Sequence, residues 1–317
     1  MSVQMNGYVL DAPFSNQDAG FSRWTTARKD GNRYFIKEFL NPVYPTVENI
    51  SEDIRKEKIN DCSIFELDKR RLYTRINDAS DGNIVRINEF FRYDAHYYIV
   101  TDFIEAMHVP ASEMVNIPFI DRLLLCRQLA HSGMMLHRNR IAHADIKETN
   151  ILIRRSATGK LVGKIIDLDC CFSEENPPRY EYELSGDQVY LSPESCRFMF
   201  GESVNLNCKI DVFAFGLLFH QYLTGSLPDF DRTRYNYPHE SILDGRPLIL
   251  SKNLYGDIRT TLARMLIGDP DRRISMETVF LELQKFDPQT GKVHTGQRNT
   301  AQMKPAQQNT LRRAGRL

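Results

Sequence analysis

The stretch His-Ala-Asp-Ile-Lys-Glu-Thr-Asn-Ile-Leu-Ile, residues 143–153, decides how the rest of the chain is interpreted. It places a carboxylate at Asp145, an amine two residues later at Lys147 and an amide at Asn150, and it then runs into apolar residues. A carboxylate accepts the proton of a hydroxyl, a nearby cation steadies a transferred phosphate, and an amide oxygen binds a metal ion. The stretch is therefore predicted to be a loop that carries chemistry and leads into a strand.

This spacing resembles the catalytic loop of the protein kinases, and the segments expected around such a loop occur in the family's order. One such segment lies upstream and three lie downstream: Tyr34–Lys37, Lys164–Asp169, Leu191–Glu194 and Asp211–Gly216. They resemble, in that order, the strand whose lysine holds the inner phosphates of the nucleotide, the metal-binding D-F-G segment, the A-P-E motif and the start of the large lobe's buried helix. The resemblance covers residues 8–285.

The resemblance implies an α+β fold of two lobes. A small antiparallel β-sheet lobe lies over a larger, mainly helical lobe, and the nucleotide binds in the cleft between them. We expect the small lobe in residues 1–104 and the helical lobe in residues 105–287. Residues 288–317 are polar and basic without apolar periodicity, which predicts a disordered basic tail.

Local patterns agree with such a fold. Asp30-Gly31 predicts a tight hairpin turn, residues 46–60 form a polar segment that is expected to be helical, and 119–138 has helical periodicity. The run 212–222 is apolar nearly all round, which is typical of a fully buried helix. Five strand-like runs predict a five-stranded antiparallel sheet: 7–14, 21–28, 33–39, 83–87 and 96–100.

The resemblance assigns roles to the polar residues of the motifs. Asp145 positions and deprotonates the acceptor hydroxyl, and Lys147 steadies the moving phosphate. Asn150 and Asp167 are expected to bind Mg²⁺, and Lys37 to orient the α and β phosphates of ATP. A lysine two residues after the acid favours serine or threonine over tyrosine as the acceptor.

Further contacts with the nucleotide are implied in the same way. Gly20 belongs to the loop that covers the phosphates, and backbone groups of Asp102 and Ile104 meet the edge of the adenine. Leu152, just after the catalytic loop, is expected to contribute to nucleotide binding.

Lys37 also needs an acidic partner on the helix that precedes the hinge. Helical spacing aligns Asp68 with the apolar residues Phe65, Leu72 and Ile76, so Asp68 is expected to point inward and brace Lys37. Glu66 is the rival, although it lies on the charged face. The family has a glutamate here, so an aspartate implies a helix that sits closer.

Two departures concern nucleotide binding. Of the family's G-x-G-x-x-G loop only Gly20 is present, and Asp18 lies near the tip where the phosphates approach. Glycines at such a loop let backbone N–H groups approach phosphate without an intervening side chain. Phe35 replaces a small alanine that packs on the adenine, which predicts a tighter or altered base pocket.

Three more departures lie near the catalytic acid. Ala144 gives His-Ala-Asp in place of H-R-D, so loop phosphorylation is not expected to be the main switch. Asp169 gives Asp-Leu-Asp in place of D-F-G and removes a glycine hinge. Asp187 replaces a threonine and is expected either to form a salt bridge with Lys147 or to repel Asp145.

These departures leave alternatives open. The leading interpretation is a Ser/Thr protein kinase that uses ATP and Mg²⁺ on a protein substrate, and the first alternative is a pseudokinase that binds nucleotide or partners without turnover. A third is a kinase of small molecules. It is disfavoured because Glu194 and Arg273, which the resemblance implies form a pair, resemble parts of a protein-substrate platform.

Composition narrows the partners. The 317 residues include 41 basic and 41 acidic side chains, so the zero net charge gives no global field that favours nucleic acid or an anionic membrane. The longest apolar run is too short to span a bilayer, and we expect a cytoplasmic location. The six cysteines lack metal-ligand spacing and are expected to be reduced thiols. The sequence carries no signal for the oligomeric state.

Overall fold

The computed structural model describes residues 3–17, 22–46, 51–107, 109–287 and 292–293. Six strands of the N-terminal region form one antiparallel sheet in the order β1-β2-β3-β4-β6-β5. Their bounds are β1 (Gln4–Met5), β2 (Tyr8–Leu10), β3 (Ser22–Lys29), β4 (Asn32–Phe39), β5 (Ile87–Tyr93) and β6 (His96–Asp102).

The predicted hairpin is present, because Asp30 and Gly31 both adopt positive φ, at 51° and 77°, between β3 and β4. The predicted five-stranded sheet has a sixth strand, since Gln4–Met5 adds to its edge. The strand expected at 83–87 is wrong except at its last residue, because β5 begins at Ile87. Ile84 forms a parallel bridge to Ile165 in the helical region instead, so this segment links the two parts of the molecule.

The polar segment is helical from Glu52 and continues into the helix that follows it as one long helix, α1 (Glu52–Ala79, 28 residues). Residues 47–50 of this segment lie outside the described residues. Its buried residues are Cys62, Leu72, Tyr73, Ile76 and Ala79. These residues lie on one face of the helix, so one stripe of α1 packs on the sheet and on Leu168.

The rest of the molecule is mainly helical. Its helices are α2 (Phe119–Arg138), α3 (Pro193–Met199), α4 (Lys209–Thr224), α5 (Pro238–Leu243), α6 (Gly256–Met265) and α7 (Met276–Lys285). Short 3-10 turns occur at Ala111–Asn116, Glu148–Asn150 and Glu181–Glu183. Three small antiparallel pairs complete the fold: β7 (Ile141–Ala142) with β10 (Phe172–Ser173), β8 (Ile151–Arg155) with β9 (Leu161–Ile165), and β11 (Phe286–Asp287) with β12 (Lys292–Val293).

Helix α4 is the centre of the helical core, as its apolar composition predicts. Every residue from Ile210 to His220 is buried. Gly216 allows a close approach of α6, because a Cβ there would lie 2.9 Å from a methyl carbon of Leu266. Gly225 ends the helix in the left-handed conformation with φ of 83°.

A buried ion pair ties the first turn of α3 to the segment before α7. Arg273 is 1% exposed, and its two terminal nitrogens lie 2.5 and 2.9 Å from the two carboxylate oxygens of Glu194. The pairing of these two residues was predicted from the resemblance and is confirmed.

A second apolar cluster joins the sheet to the helical region. It contains Leu72 and Ile76 of α1, Phe90 and Ile99 of the sheet, and Leu168 between the two acids of the Asp-Leu-Asp segment. The cleft residues described below therefore rest on a shared core.

The predicted tail, residues 288–317, lies outside the described residues apart from 292–293. Within the part of the chain that the structure describes, none of the helices combines the length and the apolar character needed to cross a bilayer.

Candidate active site

The loop that carries Asp145 is held by a carboxylate from α4. Asp211 accepts hydrogen bonds from the backbone N–H of His143 (2.7 Å to Oδ2) and of Ala144 (2.8 Å to Oδ1). The ring of His137 lies 3.0 Å from Asp211 Oδ2. Ala144 has φ of 66°, a conformation that needs such support in a residue other than glycine.

Three predicted catalytic residues meet at the carboxylate of Asp145, which is buried. Lys147 Nζ lies 2.8 Å from Oδ2. Asn150 Nδ2 donates to the same oxygen and to the backbone carbonyl of Asp145, both at 2.8 Å. Burial opposes the charge of Lys147, but the neighbouring Asp145 carboxylate raises the pKa of this amine, so it stays protonated at neutral pH.

Asp187 behaves differently from both expectations. Its backbone N–H points to Asp145 Oδ1 at 3.3 Å, while its own carboxylate accepts the N–H of Val189 at 2.9 Å. The residue therefore contacts Asp145 through its main chain, and its side chain turns to its own loop. Its charge still contributes to the raised pKa of Lys147.

Asp167 lies beside this loop, because the N–H of the preceding residue, Ile166, donates to the carbonyl of Asn150 at 2.9 Å. Carboxylate and amide oxygens of this kind are the ligands that Mg²⁺ prefers. The described residues hold no group of three or more His, Cys, Asp or Glu side chains arranged for a metal. Mg²⁺ needs no such cage, since it usually takes one or two carboxylates together with phosphate and water, so these residues fit the ion.

Lys37 reaches across from β4 to the Asp-Leu-Asp segment. Its Nζ lies 2.6 Å from Asp167 Oδ1 and 2.8 Å from Asp169 Oδ2, and its side chain is only 10% exposed. Burial opposes the charge on this amine, but the two carboxylates raise the pKa of Lys37 above its ordinary value. Burial likewise opposes the charge of Asp167, yet Lys37 lowers the pKa of that carboxyl. Burial and repulsion by Asp167 raise the pKa of Asp169.

The predicted pair between Lys37 and Asp68 is wrong. Asp68 is half-buried, and its Oδ2 accepts a hydrogen bond from Asn176 at 3.1 Å, in the segment after β10. The rival acid, Glu66, pairs with Arg70 one turn further along α1. The helix is rotated relative to the expected stripe, so neither acid faces Lys37.

Lys69 is the residue of α1 that faces this part of the cleft, and the sequence-based interpretation missed it. Its Nζ donates to the backbone carbonyl of Asp169 at 2.7 Å and lies 5.6 Å from the ring centroids of both Phe39 and Tyr73. The signal was present, because Cys62, Lys69 and Tyr73 share a stripe with Ile76 at helical spacing.

Two of the residues expected near the adenine base, Phe35 and Asp102, lie on the neighbouring strands β4 and β6. Phe35 stacks on Trp24, with ring centroids 5.4 Å apart, and β4 pairs Phe35 with Thr101. Strand β6 ends at Asp102, whose N–H lies 3.4 Å from the Arg86 carbonyl.

Ile104 packs against the cluster shared by the sheet and α1, and Leu152 is half-buried on β8. Their roles toward a base stay predictions. Gly20 and Asp18 lie outside the described residues.

Two acids after β10 meet two arginines. Arg75 of α1 lies 3.2 Å from Glu175 and donates to Ser173 Oγ at 3.1 Å. Arg140 lies 3.3 Å from Glu174 and 3.7 Å from Glu175. The Arg75 pair joins α1 to the segment after β10, and the Arg140 pairs join the turn after α2 to the same segment. Each of these partly exposed pairs contributes only about 0–1 kcal/mol.

A comparison with known families agrees with this geometry. The family model of the protein kinase domain matches residues 54–282, well over half of the chain. The chain belongs to the protein kinase family. The match to the family model begins inside α1, so the β-strands around Lys37 lie before it.

This kinase domain is similar to known kinases at modest identity. It is 28% identical over 292 residues to protein kinase kin1 of Schizosaccharomyces pombe, across 87% of this chain and 30% of that protein. It is 25% identical over 258 residues to the serine/threonine-protein kinase ULK3 of Homo sapiens, across 80% of this chain and 46% of that protein. The chain thus spans less than half the length of these relatives.

Proposed function

We propose that this chain is a protein kinase that transfers the γ-phosphate of ATP to serine or threonine of a protein substrate, with Mg²⁺ as its cofactor. The observation that carries the proposal is the hydrogen-bonded set at Asp145, in which Lys147 and Asn150 both contact Oδ2. Lys37 and Asp167, the expected phosphate and metal residues, meet beside this set.

Asp145 is the proposed general base. Its Oδ2 is held by two donors at 2.8 Å, whereas its Oδ1 receives a single, longer bond of 3.3 Å from Asp187. Hydrogen bonds to a carboxylate oxygen reduce its tendency to take up a proton. We therefore assign Oδ1 as the atom that accepts the proton of the acceptor hydroxyl.

The residues around Asp145 are proposed to neutralise the charge of the phosphates and to orient them. Lys147 keeps its positive charge beside Asp145 and is placed to steady the phosphate during transfer. Asn150 and Asp167 are the proposed metal ligands, and Lys37 is the proposed partner of the α and β phosphates. Mg²⁺, when bound, neutralises the charge on the phosphate oxygens. Asp102, Ile104 and Leu152 remain proposed contacts of the base.

The cytoplasm is the proposed location. All six cysteines are free thiols, and five of them are buried. Persisting free thiols are typical of reducing compartments, where disulfides are rare.

The test is transfer from labelled ATP to a generic protein acceptor such as casein, with Mg²⁺ or with a chelator. We expect label on the acceptor, dependent on Mg²⁺, and recovered as phosphoserine or phosphothreonine after acid hydrolysis. Label found only on tyrosine would refute the Ser/Thr assignment. Label found only on small molecules would favour the small-molecule alternative, and no label at all would favour a pseudokinase.

A further inference from the structure

The buried amine of Lys37 lacks a partner on the neighbouring helix. Among the residues that the structure describes, its ion pairs are with Asp167 and Asp169, and neither acid comes from α1. The two acids of α1 that were expected to reach Lys37, Asp68 and Glu66, bind Asn176 and Arg70. The carboxylate that holds Lys37 therefore comes from the Asp-Leu-Asp segment.

The two acids of this segment are not equivalent under the proposed function. Asp167 is the proposed metal ligand, so its oxygens are needed elsewhere once Mg²⁺ and ATP are bound. Asp169 has no such duty, and its Oδ2 lies 2.8 Å from Lys37 Nζ with a side chain that is 16% exposed. Asp169 is the acid that remains for Lys37.

Helix α1 is still connected to this pair, but through a cation. Lys69 Nζ donates to the backbone carbonyl of Asp169 at 2.7 Å and lies 5.6 Å from the ring centroids of Phe39 and Tyr73. The chain of contacts thus runs from α1 through Lys69 to Asp169 and then to Lys37. In the arrangement expected from the sequence, the helix supplies the acid that pairs with Lys37. Here the helix supplies a cation, Lys69, and the acid lies on the Asp-Leu-Asp segment.

We propose that Asp169 is the positioning residue for Lys37, and that Lys69 fixes Asp169 from the helix. This inference rests on the proposed function, because it assigns Asp167 to the metal and Lys37 to the phosphates. It gives the Asp-Leu-Asp segment two tasks, one for each acid. An aspartate in place of glycine is then a compensation for a helix without an inward-facing acid.

The first experiment measures the affinity of the full chain for a fluorescent ATP analogue with Mg²⁺, by direct titration. Asp169→Asn keeps the shape of the side chain and removes its charge, and we expect it to weaken binding by about tenfold or more, as the loss of about 1.4 kcal/mol implies. Asp78→Asn, on the exposed face of α1, is the matched control and is expected to bind like the wild type. Asp68→Asn is expected to do the same.

The second experiment moves the acid back to the helix. Asp169→Gly should weaken binding, and the double variant Asp169→Gly with Lys69→Glu should recover most of the loss, because a side chain at position 69 ends beside the Asp169 backbone. A merely structural role of Asp169 would not be rescued by this exchange. Melting temperatures of all variants without nucleotide provide the check on folding.

The proposal is overturned if Asp169→Asn binds as tightly as the wild type, or if the double variant binds no better than Asp169→Gly. Binding is read without turnover, so the result is separate from the test of the proposed function. A wild type that binds the analogue but transfers no phosphate would refute the kinase assignment and leave this comparison intact. A wild type that does not bind the analogue would overturn both.

Discussion

The catalytic loop and the cleft wall formed by α1 and the Asp-Leu-Asp segment differ in how they keep the family's pattern. Around Asp145, each polar residue type stands at its expected spacing. Asp211 holds the loop by accepting hydrogen bonds from the backbone N–H groups of His143 and Ala144. Along the wall, the expected acid on the helix faces away, and a lysine and a second aspartate have taken its place.

The difference reflects the kind of constraint that acts on each region. In the loop, the groups proposed to act on the proton and the phosphate belong to one short stretch, so under the proposed function a change in any of them removes a function directly. In the wall, the requirement is a carboxylate beside Lys37, and several segments of the chain border that point. The carboxylate can therefore come from α1 or from the Asp-Leu-Asp segment, and Lys37 has an acidic partner in either case.

The largest effect on phosphate transfer is expected for a substitution in the loop. Asp145→Asn removes the proposed general base while keeping the hydrogen-bonding shape, so phosphate transfer should fall by about two to four orders of magnitude. ATP should still raise the melting temperature in the presence of Mg²⁺. A variant that retains most of the wild-type rate would show that Asp145 is not the base.

The proposed metal ligand in the Asp-Leu-Asp segment is tested by Asp167→Asn. A neutral amide binds Mg²⁺ more weakly than a carboxylate, so transfer should be lost and the ATP-induced rise in melting temperature should no longer depend on Mg²⁺. Differential scanning fluorimetry with and without a chelator measures the second effect. A variant whose melting shift still depends on Mg²⁺ as in the wild type would place the ion elsewhere.

The buried ion pair of the helical region is tested by Glu194→Gln. The change leaves the guanidinium of Arg273, which is 1% exposed, without its ionic partner. Breaking a buried pair in this way costs about 3–5 kcal/mol of unfolding free energy, measured by urea denaturation.

The matched control is Glu277→Gln, which breaks the exposed pair with Arg138. An exposed pair contributes about 0–1 kcal/mol. Equal destabilisation by the two variants would contradict the structural importance given to the Arg273 pair.

The smallest effect is expected for phosphorylation of the loop. Ala144 leaves no arginine beside Asp145, and Glu174 and Glu175 already engage Arg140 and Arg75. Phosphatase treatment should therefore change the transfer rate little, as measured in the labelled ATP assay. Loss of activity that returns on rephosphorylation of Ser173 or a loop tyrosine would show that these arginines serve a phosphate instead.

The sequence was a reliable guide where a pattern is local. The helix 119–138 was predicted with the bounds that the structure has, and the turn at Asp30-Gly31 follows from residues that tolerate positive φ. The buried pair of Arg273 and Glu194 followed from the resemblance, because both motifs stood in the family's order.

The sequence failed where the answer depends on how two distant segments meet. Asp68 and Lys69 are neighbours in the chain, and one residue of rotation about the axis of α1, about 100°, decides which of them faces Lys37. The apolar residues near them fit two stripes, and only the packing of α1 on the sheet and on Leu168 selects one. Likewise, Ile84 pairs with Ile165 rather than with the sheet because the chain crosses between the two regions there.

The central claim is that the loop around Asp145 keeps the residues needed for transfer, although α1 and the Asp-Leu-Asp segment have changed. Its most direct test is the transfer rate of the wild type as a function of ATP concentration, which separates kcat from KM. We expect the rate to saturate at a level about two or more orders of magnitude above that of Asp145→Asn, with the departures at Phe35 and Asp169 expressed in KM for ATP rather than in kcat. A rate that stays at the Asp145→Asn background at every ATP concentration, with the chain itself and added proteins as acceptors, would contradict the assignment of this domain as an active kinase.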